Sequence, residues 1–293
     1  MKTETVGMIF VIIQLIAAGF QPIFTKLAVN GINPLFAAAV SSLVGCIIPL
    51  IFLVKVKGLR MFLNVKNLKE VYIIGFFGTT MTFIFLFFGA QMTSGINIAI
   101  LLQTETIYSI FLSYFFLKER IARKQIFATI LIILGIVTVV YNGTFSLNFG
   151  DVLIILTPLF WQISHLLAKK SIKRLGTPFI QGGRYLSAGL TMFLISTLIG
   201  TNQFGALYNP VNLSSILIIG LVVAGIGSLA WYEAIKRINL SKATAMISPY
   251  SVLSVILAWF ILSEHPSVYQ IAGLVLVLVG MFSLSRIKSE KRK

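Results

Sequence analysis

One glutamate, Glu105, lies near the middle of an apolar stretch that is long enough to cross a membrane. At that depth an ionised carboxylate without a partner costs about 2.5 kcal/mol or more. Near it on the same helical face lie four other polar residues and one leucine: Ser94, Asn97, Leu101, Thr104 and Tyr108. This stripe predicts a cavity wall on which Glu105 binds a substrate amine or carries a coupled proton. A structural hydrogen bond to a neighbouring helix is the alternative.

Polar and aromatic residues of other apolar stretches are candidates for the same cavity. The amides of Gln14 and Gln21 share one helical face, which suits either hydrogen bonding to a ligand or packing between helices. Aromatic rings can bind a cationic substrate or, near span ends, anchor the helix at the membrane surface. The predicted substrate-binding residues are Glu105, Asn97, Tyr108, Gln14, Gln21, Trp161, Tyr232 and Tyr250.

Two further ionisable residues lie within apolar stretches. His165 is a candidate for proton coupling beside Glu105, with a hydrogen-bonded structural histidine as the alternative. Arg184 lies about two turns into its stretch. Its side chain either extends to the membrane surface or pairs with a carboxylate or an anionic substrate, and Glu105 is one possible partner.

Signatures of enzymes and of metal or nucleotide cofactors are missing from the sequence. There is no glycine-rich phosphate loop with a lysine, which excludes ATP-driven transport within this chain. Two separated histidines and one cysteine make no plausible zinc site. No nucleophile stands beside a base at a recognisable spacing. We therefore predict a protein that is not an enzyme and that holds no cofactor and no metal.

The amino-acid composition indicates that these apolar stretches lie in lipid and not in water. Of the 293 residues, 57% are hydrophobic and 11% are charged, against about a quarter charged in an ordinary soluble domain. The net charge of +16 comes from short clusters between apolar runs, which is not how a nucleic-acid groove is built. Ten apolar spans are predicted near 7–27, 34–54, 71–90, 95–117, 125–141, 150–168, 178–199, 214–235, 242–262 and 267–286.

The distribution of cations provides an independent test of ten spans. With the amino terminus in the cytoplasm, 22 of the 24 Lys and Arg residues fall on the cytoplasmic side. The exceptions are Lys26 and Arg184. The sequence thus predicts a multi-pass protein of the cell membrane with both termini in the cytoplasm.

The two halves of the sequence match at an offset of 145 residues. Residues 107–136 and 252–281 share nine identities, including a Glu, a Gln and a Gly that keep one register. Each half contains five predicted spans, so the second half must enter the membrane in the opposite orientation. We predict an all-α integral membrane protein built as two inverted five-helix repeats, 1–144 and 145–293.

The repeated motifs carry a resemblance to a known family. Phe-Phe-Leu-Lys-Glu at 115–119 and Phe-Ile-Leu-Ser-Glu at 260–264 are each followed by Gln-Ile and a glycine-bearing span. With the link at 234–243, they resemble the EamA type of the drug/metabolite transporter superfamily. The resemblance implies ten helices, a central cavity and export or exchange of small metabolites such as amino acids. The family often has proline where this chain has Thr106 and Ser251; Pro249 is expected to bend the second half.

The residues and the resemblance together predict a secondary transporter that works by alternating access, with its site near the membrane midplane. The expected partners are a small-molecule substrate, a coupled proton or cation, and membrane lipid, but no nucleic acid. Amino acids or related compounds are the expected substrates, with export favoured. The alternatives are a translocator of lipids or lipid-linked sugars, and a membrane enzyme or scaffold that does not transport.

Overall fold

The computed structural model describes residues 3–56, 59–117, 122–145, 147–238 and 240–285, and these ranges contain helices but no strand. Ten helical spans run through them. The first repeat contains α1 (Thr3–Gly31), α2 (Pro34–Gly45 with Ile47–Val56), α3 (Val65–Gly75, Phe76–Met81 and Thr82–Met92), α4 (Gly95–Leu101 with Thr104–Leu117) and α5 (Arg123–Tyr141). The second contains α6 (Phe149–Leu175), α7 (Thr177–Leu198), α8 (Pro210–Leu217, Ile218–Gly227 and Ser228–Ile235), α9 (Leu240–Ile247 with Tyr250–Leu262) and α10 (Val268–Ser285).

The lengths and surfaces of these helices suit a bilayer. Seven of them, α1 to α6 and α8, are long and apolar enough to cross a membrane, counted over the described residues. The helix α7 has 22 residues, and α9 and α10 supply shorter apolar helices. Large apolar side chains point outward, as do Phe116, Leu194 and Trp259, which is the arrangement that lipid favours. The prediction of an all-α membrane protein of ten helices in two inverted repeats is confirmed; the division at residue 144 stays a prediction.

The two ends of α6 show how local chemistry sets helix ends. Asn148 caps α6: its side chain accepts from the backbone N–H of Asp151 at 2.8 Å, and Asp151 accepts from the N–H of Asn148 at 3.3 Å. The helix extends well past the predicted limit of residue 168 and ends at Gly176, whose φ of +85° favours glycine. Pro178 then begins α7 with φ already suited to a helix.

The helices α4 and α9 are interrupted at equivalent positions of the two repeats. The N–H of Thr106 donates to the carbonyl of Gln103 at 3.1 Å, and 145 residues later that of Ser251 donates to Ser248 at 3.2 Å. Pro249 lies at the second interruption, where a bend was expected. The first interruption contains no proline. A polar side chain supports it instead, as described below.

The helices α3 and α8 contain wider π-helical turns, again at similar positions of the two halves. These turns cover Phe76–Met81 in α3 and Ile218–Gly227 in α8. A π turn shifts the hydrogen-bond register and often marks a functional site. Both turns face the centre of the molecule, where they contribute to the cavity.

The repeated Leu-x-Glu motif serves as a helix cap in the second half. The carboxylate of Glu264 accepts from the backbone N–H groups of Gly95 at 2.8 Å and Ile96 at 2.9 Å, at the start of α4. This contact ties the end of α9 to the first repeat. Its counterpart in the first half, Glu119, lies outside the described residues.

Candidate functional site

The centre of the helix bundle contains two adjoining chambers. The basic chamber surrounds Arg184 and holds about 420 Å³ of empty space, part of it open to solvent. The acidic chamber surrounds Glu105 and holds about 240 Å³. Four residues line both chambers: Gln14, Trp161, His165 and Trp231. The two chambers together, called the central cavity here, have the mixed apolar and polar lining that is typical of a small-molecule site.

Glu105 is the acidic group of the cavity. Its side chain is buried and accepts a hydrogen bond from the amide of Gln162, with 2.7 Å between Nε2 and Oε1. None of the ion pairs in the described part of the chain includes it. The carboxylate therefore has a neutral partner and no compensating cation.

Unsatisfied polar atoms surround this carboxylate. Within the described ranges, Gln14 Oε1, Gln162 Oε1 and Tyr250 Oη are buried and have no hydrogen-bond partner. Gln14 and Tyr250 line the acidic chamber with Glu105. Since buried polar atoms are usually satisfied, such a concentration indicates a place where a ligand or water completes the hydrogen bonding.

The interruption of α4 positions Glu105. Thr104 Oγ1 lies 2.9 Å from the carbonyl oxygen of Leu101 and 3.1 Å from that of Ile155 in α6, so it supports the broken turn. The amide of Gln103 donates to the carbonyl of Ser248 at 3.3 Å, joining the interruptions of α4 and α9. Inverted-repeat transporters place their sites at such a junction of the repeats.

Arg184 is the basic group of the cavity. Its guanidinium donates to four neutral oxygens: Thr79 Oγ1 at 2.9 Å, Tyr232 Oη at 2.7 Å, Gly78 O at 2.9 Å and Tyr185 Oη at 3.4 Å. The guanidinium carbon also lies 4.7 Å from the ring centre of Tyr185. The π turn of α3 supplies two of these oxygens. Only 3% of Arg184 is exposed, so it does not extend to the membrane surface.

A cluster of aromatic rings lies where the two chambers meet. The indole N–H of Trp231 donates to Nδ1 of His165 at 3.3 Å, which leaves the proton of the neutral imidazole on Nε2. The ring centre of His165 lies 5.3 Å from that of Trp231, 5.8 Å from Tyr232 and 6.2 Å from Trp161. The histidine is thus held in one tautomer at the boundary of the two chambers.

The structure brings most of the predicted residues together. Seven line the central cavity: Glu105, Gln14, Gln21, Trp161, His165, Tyr232 and Tyr250. Two predicted binding residues do not line either chamber. Tyr108 is half-buried one turn after Glu105. Asn97 lies at the start of α4, where its amide donates to Asp151 at 3.3 Å and accepts from Gln270 at 2.8 Å.

The cavity also contains residues that were not predicted as part of it. Gly78, Thr82 and Phe83 from α3 and Tyr185 from α7 line the basic chamber. The position of Tyr185 beside Arg184 was the only available signal for it. Within the described ranges, no three His, Cys, Asp or Glu side chains come close enough to hold a metal ion.

Comparison with known proteins adds family relationships to this geometry. The profile described as the EamA-like transporter family matches residues 5–141 and again 148–286. The chain is 24% identical over 248 residues to "Uncharacterized transporter YyaM" of Bacillus subtilis (strain 168), covering 82% of this chain and 80% of the relative. It is 25% identical over 305 residues to an "Uncharacterized transporter" of Clostridium kluyveri, covering 98% and 94%. A solved crystal structure superposes with a TM-score of 0.75 at 14% identity, covering 96% of both chains.

Proposed function

This chain belongs to the EamA-like transporter family, and we propose that it is a secondary transporter that moves small amine-bearing metabolites across the cell membrane by alternating access. Amino acids and related compounds are the proposed substrates, with export favoured. We place both termini in the cytoplasm, because that orientation puts 22 of the 24 Lys and Arg residues on the cytoplasmic side.

The observation that carries this proposal is the state of Glu105. A buried carboxylate with a neutral partner, next to unpartnered oxygens of Gln14 and Tyr250, is an acceptor-rich site. A primary ammonium group brings one positive charge and three N–H donors, so it satisfies both the charge and the hydrogen bonding. The rings of Trp161 and Trp231 add faces that attract a cation.

The arrangement of the repeats supports alternating access. The interruptions of α4 and α9 meet through Gln103 and Ser248, so each half contributes one broken helix to the same point. A ligand bound there contacts both halves, and rocking of one half against the other would expose it to each side in turn. A proton on Glu105 in the absence of substrate would make the carboxylate the coupling group as well, with His165 beside it as a relay.

A first experiment is a thermal-shift screen of the detergent-purified protein against amino acids, amines, organic acids and nucleosides. A ligand that binds the folded state raises its melting temperature. Compounds that stabilise the protein are then tested for counterflow in liposomes. We expect amine-bearing compounds to raise the melting temperature and to be transported. The Glu105→Gln variant should lose their binding and transport while remaining folded.

The matched control is Glu70→Gln, which makes the same chemical change at a partly exposed ion pair with Arg174. That variant should bind and transport like the unmodified protein. Unchanged transport and unchanged pH dependence in Glu105→Gln would refute the proposed role of Glu105.

A second candidate function has its own structural support. An apolar groove beside the cation of Lys170 lies between α4 and α6, lined by Phe116, Ile163, Leu166 and Leu167. A groove of this type could hold an acyl chain next to a phosphate headgroup, which favours a translocator of lipids or lipid-linked sugars. A blank screen with soluble compounds, together with stabilisation by anionic lipids alone, would favour this function over the first.

A further inference from the structure

We propose that Arg184 forms an anion subsite, so that the central cavity recognises zwitterions: the acidic chamber binds the ammonium group and the basic chamber binds the carboxylate of the same molecule. This inference rests on the proposed function and narrows its substrate class. It adds a second point of recognition, in the chamber that adjoins the chamber of Glu105.

The proposal depends first on the buried positive charge of Arg184. The residue is 3% exposed, and its hydrogen-bond partners are two tyrosine hydroxyls, one threonine hydroxyl and one backbone carbonyl, all of them neutral. In the part of the chain that the structure describes, no ion pair includes it. A buried charge without a counter-charge is costly, so an anion that enters the basic chamber is strongly favoured there.

The donors of the basic chamber fit a carboxylate. The four hydrogen bonds of Arg184 occupy four of its five N–H groups and leave one hydrogen on Nη1. The hydroxyl of Tyr185 accepts from the guanidinium and keeps its own hydrogen as a second donor. The remaining guanidinium N–H and the Tyr185 hydroxyl are two donors for the oxygens of one carboxylate, and the bond from the guanidinium is charge-assisted.

The relation between the chambers selects for two charges on one ligand. Glu105 and Arg184 are both buried, they have opposite signs, and neither bonds to the other. Gln14, Trp161, His165 and Trp231 line both chambers, so the chambers adjoin, and the proposal requires one ligand to reach from the first into the second. The ammonium group of a zwitterion compensates the charge of Glu105, and its carboxylate compensates that of Arg184. A simple amine compensates Glu105 alone and leaves Arg184 unpaired.

Arg184 also joins α7 to α3 and α8 through its four bonds, and a purely structural role would explain those bonds equally well. The two roles differ in what they predict for ligands. If Arg184 is only structural, the affinity of a ligand does not depend on whether the ligand carries a carboxylate. The deciding test is therefore made first on the unmodified protein, where folding is not in question.

The experiment measures binding of the twenty amino acids to the detergent-purified chain, each compared with its carboxamide and its decarboxylated amine. For the amino acid that binds best, we expect the carboxamide and the amine to bind about tenfold or more weakly. In Arg184→Gln this preference should disappear, and in Arg184→Lys, which keeps the charge but loses the planar fork, it should be partly retained.

The outcomes separate the two proposals. If a carboxamide binds the unmodified protein within about twofold of its amino acid, and that binding still requires Glu105, the anion subsite is refuted while the transporter proposal stands. If none of the compounds binds, both proposals fall together. If Arg184→Gln does not fold, the comparison of acid with amide in the unmodified protein still decides.

Discussion

Charged residues at the ends of the helices have oppositely charged partners, whereas charged residues in the central cavity have neutral ones. At one end of the bundle, the carboxylate of Glu70 pairs with Arg174. At the end of α8, Glu233 pairs with Arg237 and lies 3.6 Å from Lys236. These acidic groups have cationic partners within the chain, so their electrostatics are complete without a ligand.

In the cavity, Glu105 and Arg184 have only neutral partners. Burial makes an unpaired charge more costly there than at the helix ends, which we call the rim, yet the described part of the chain forms no ion pair with Glu105 or Arg184. The difference indicates that the rim is built for stability and the cavity for binding. Four substitutions test that contrast, and the three in or beside the cavity each have a matched control.

The largest effect is expected when Glu105 loses its neutral partner. In Gln162→Leu the carboxylate stays buried without its hydrogen bond, which should lower the free energy of unfolding by about 1–3 kcal/mol. Transport of the best substrate should fall about tenfold, because Glu105 is no longer oriented. Counterflow in liposomes and denaturant unfolding measure the two effects.

The control for that variant is Gln181→Leu. Gln181 is equally buried, but it donates to the backbone carbonyl of Ser228 at 2.8 Å and not to Glu105. The Gln181→Leu variant should lose about as much stability as Gln162→Leu and keep its transport rate per folded molecule. Equal losses of transport in both variants would mean that stability alone explains the effect.

A smaller effect is expected from crowding the amide of Gln14. A methyl group on Gly227 would come 2.5 Å from Gln14 Oε1 and 2.7 Å from the Cβ of Ala17. We expect Gly227→Ala to cost about 1–3 kcal/mol of stability and to raise the half-saturating substrate concentration several-fold, because Gln14 must leave its position in both chambers. In Gly205→Ala, where no atom lies within 4 Å, neither quantity should change. Normal affinity in Gly227→Ala would remove Gln14 from the site.

The fold could be predicted from the sequence because two independent patterns set it. Apolar runs of sufficient length give the number of helices. The repeat at an offset of 145 gives their inverted arrangement, and the clustered cations predict which side of the membrane each helix end faces. Glu105 could be singled out because a carboxylate in the middle of a span is costly and shares its face with other polar residues.

The depth of side chains and the π turns could not be predicted. A polar stripe identifies a helical face but not the level at which the cavity lies. Asn97 shares the stripe of Glu105 but lies eight residues earlier, about 12 Å along the axis, where it bonds to Asp151 instead. The π turn that offers Gly78 and Thr79 to Arg184 depends on tertiary contacts and has no local sequence signal. The role of the cavity residues in transport stays a prediction.

A weaker effect is expected from releasing His165. Trp231→Phe keeps an aromatic ring but removes the N–H that donates to Nδ1 of His165. The loss of one neutral hydrogen bond should cost about 1 kcal/mol of stability, and freeing the imidazole should change the pH dependence of transport more than its maximal rate. The control is Trp259→Phe, since half of Trp259 is exposed on the outer surface. An identical pH profile in Trp231→Phe and the unmodified protein would count against His165 as a proton relay.

The smallest effect is expected at the rim. Lys242 pairs with Glu4 at 2.5 Å, and the two side chains are 42% and 60% exposed. Exposed ion pairs contribute little because water and salt screen them, so Lys242→Gln should change the free energy of unfolding by less than about 1 kcal/mol. Substrate affinity and counterflow should remain at the level of the unmodified protein, in contrast to Glu105→Gln. A large loss of transport in Lys242→Gln, with stability unchanged, would show that rim charges take part in substrate movement, and the division between a rim for stability and a cavity for binding would no longer hold.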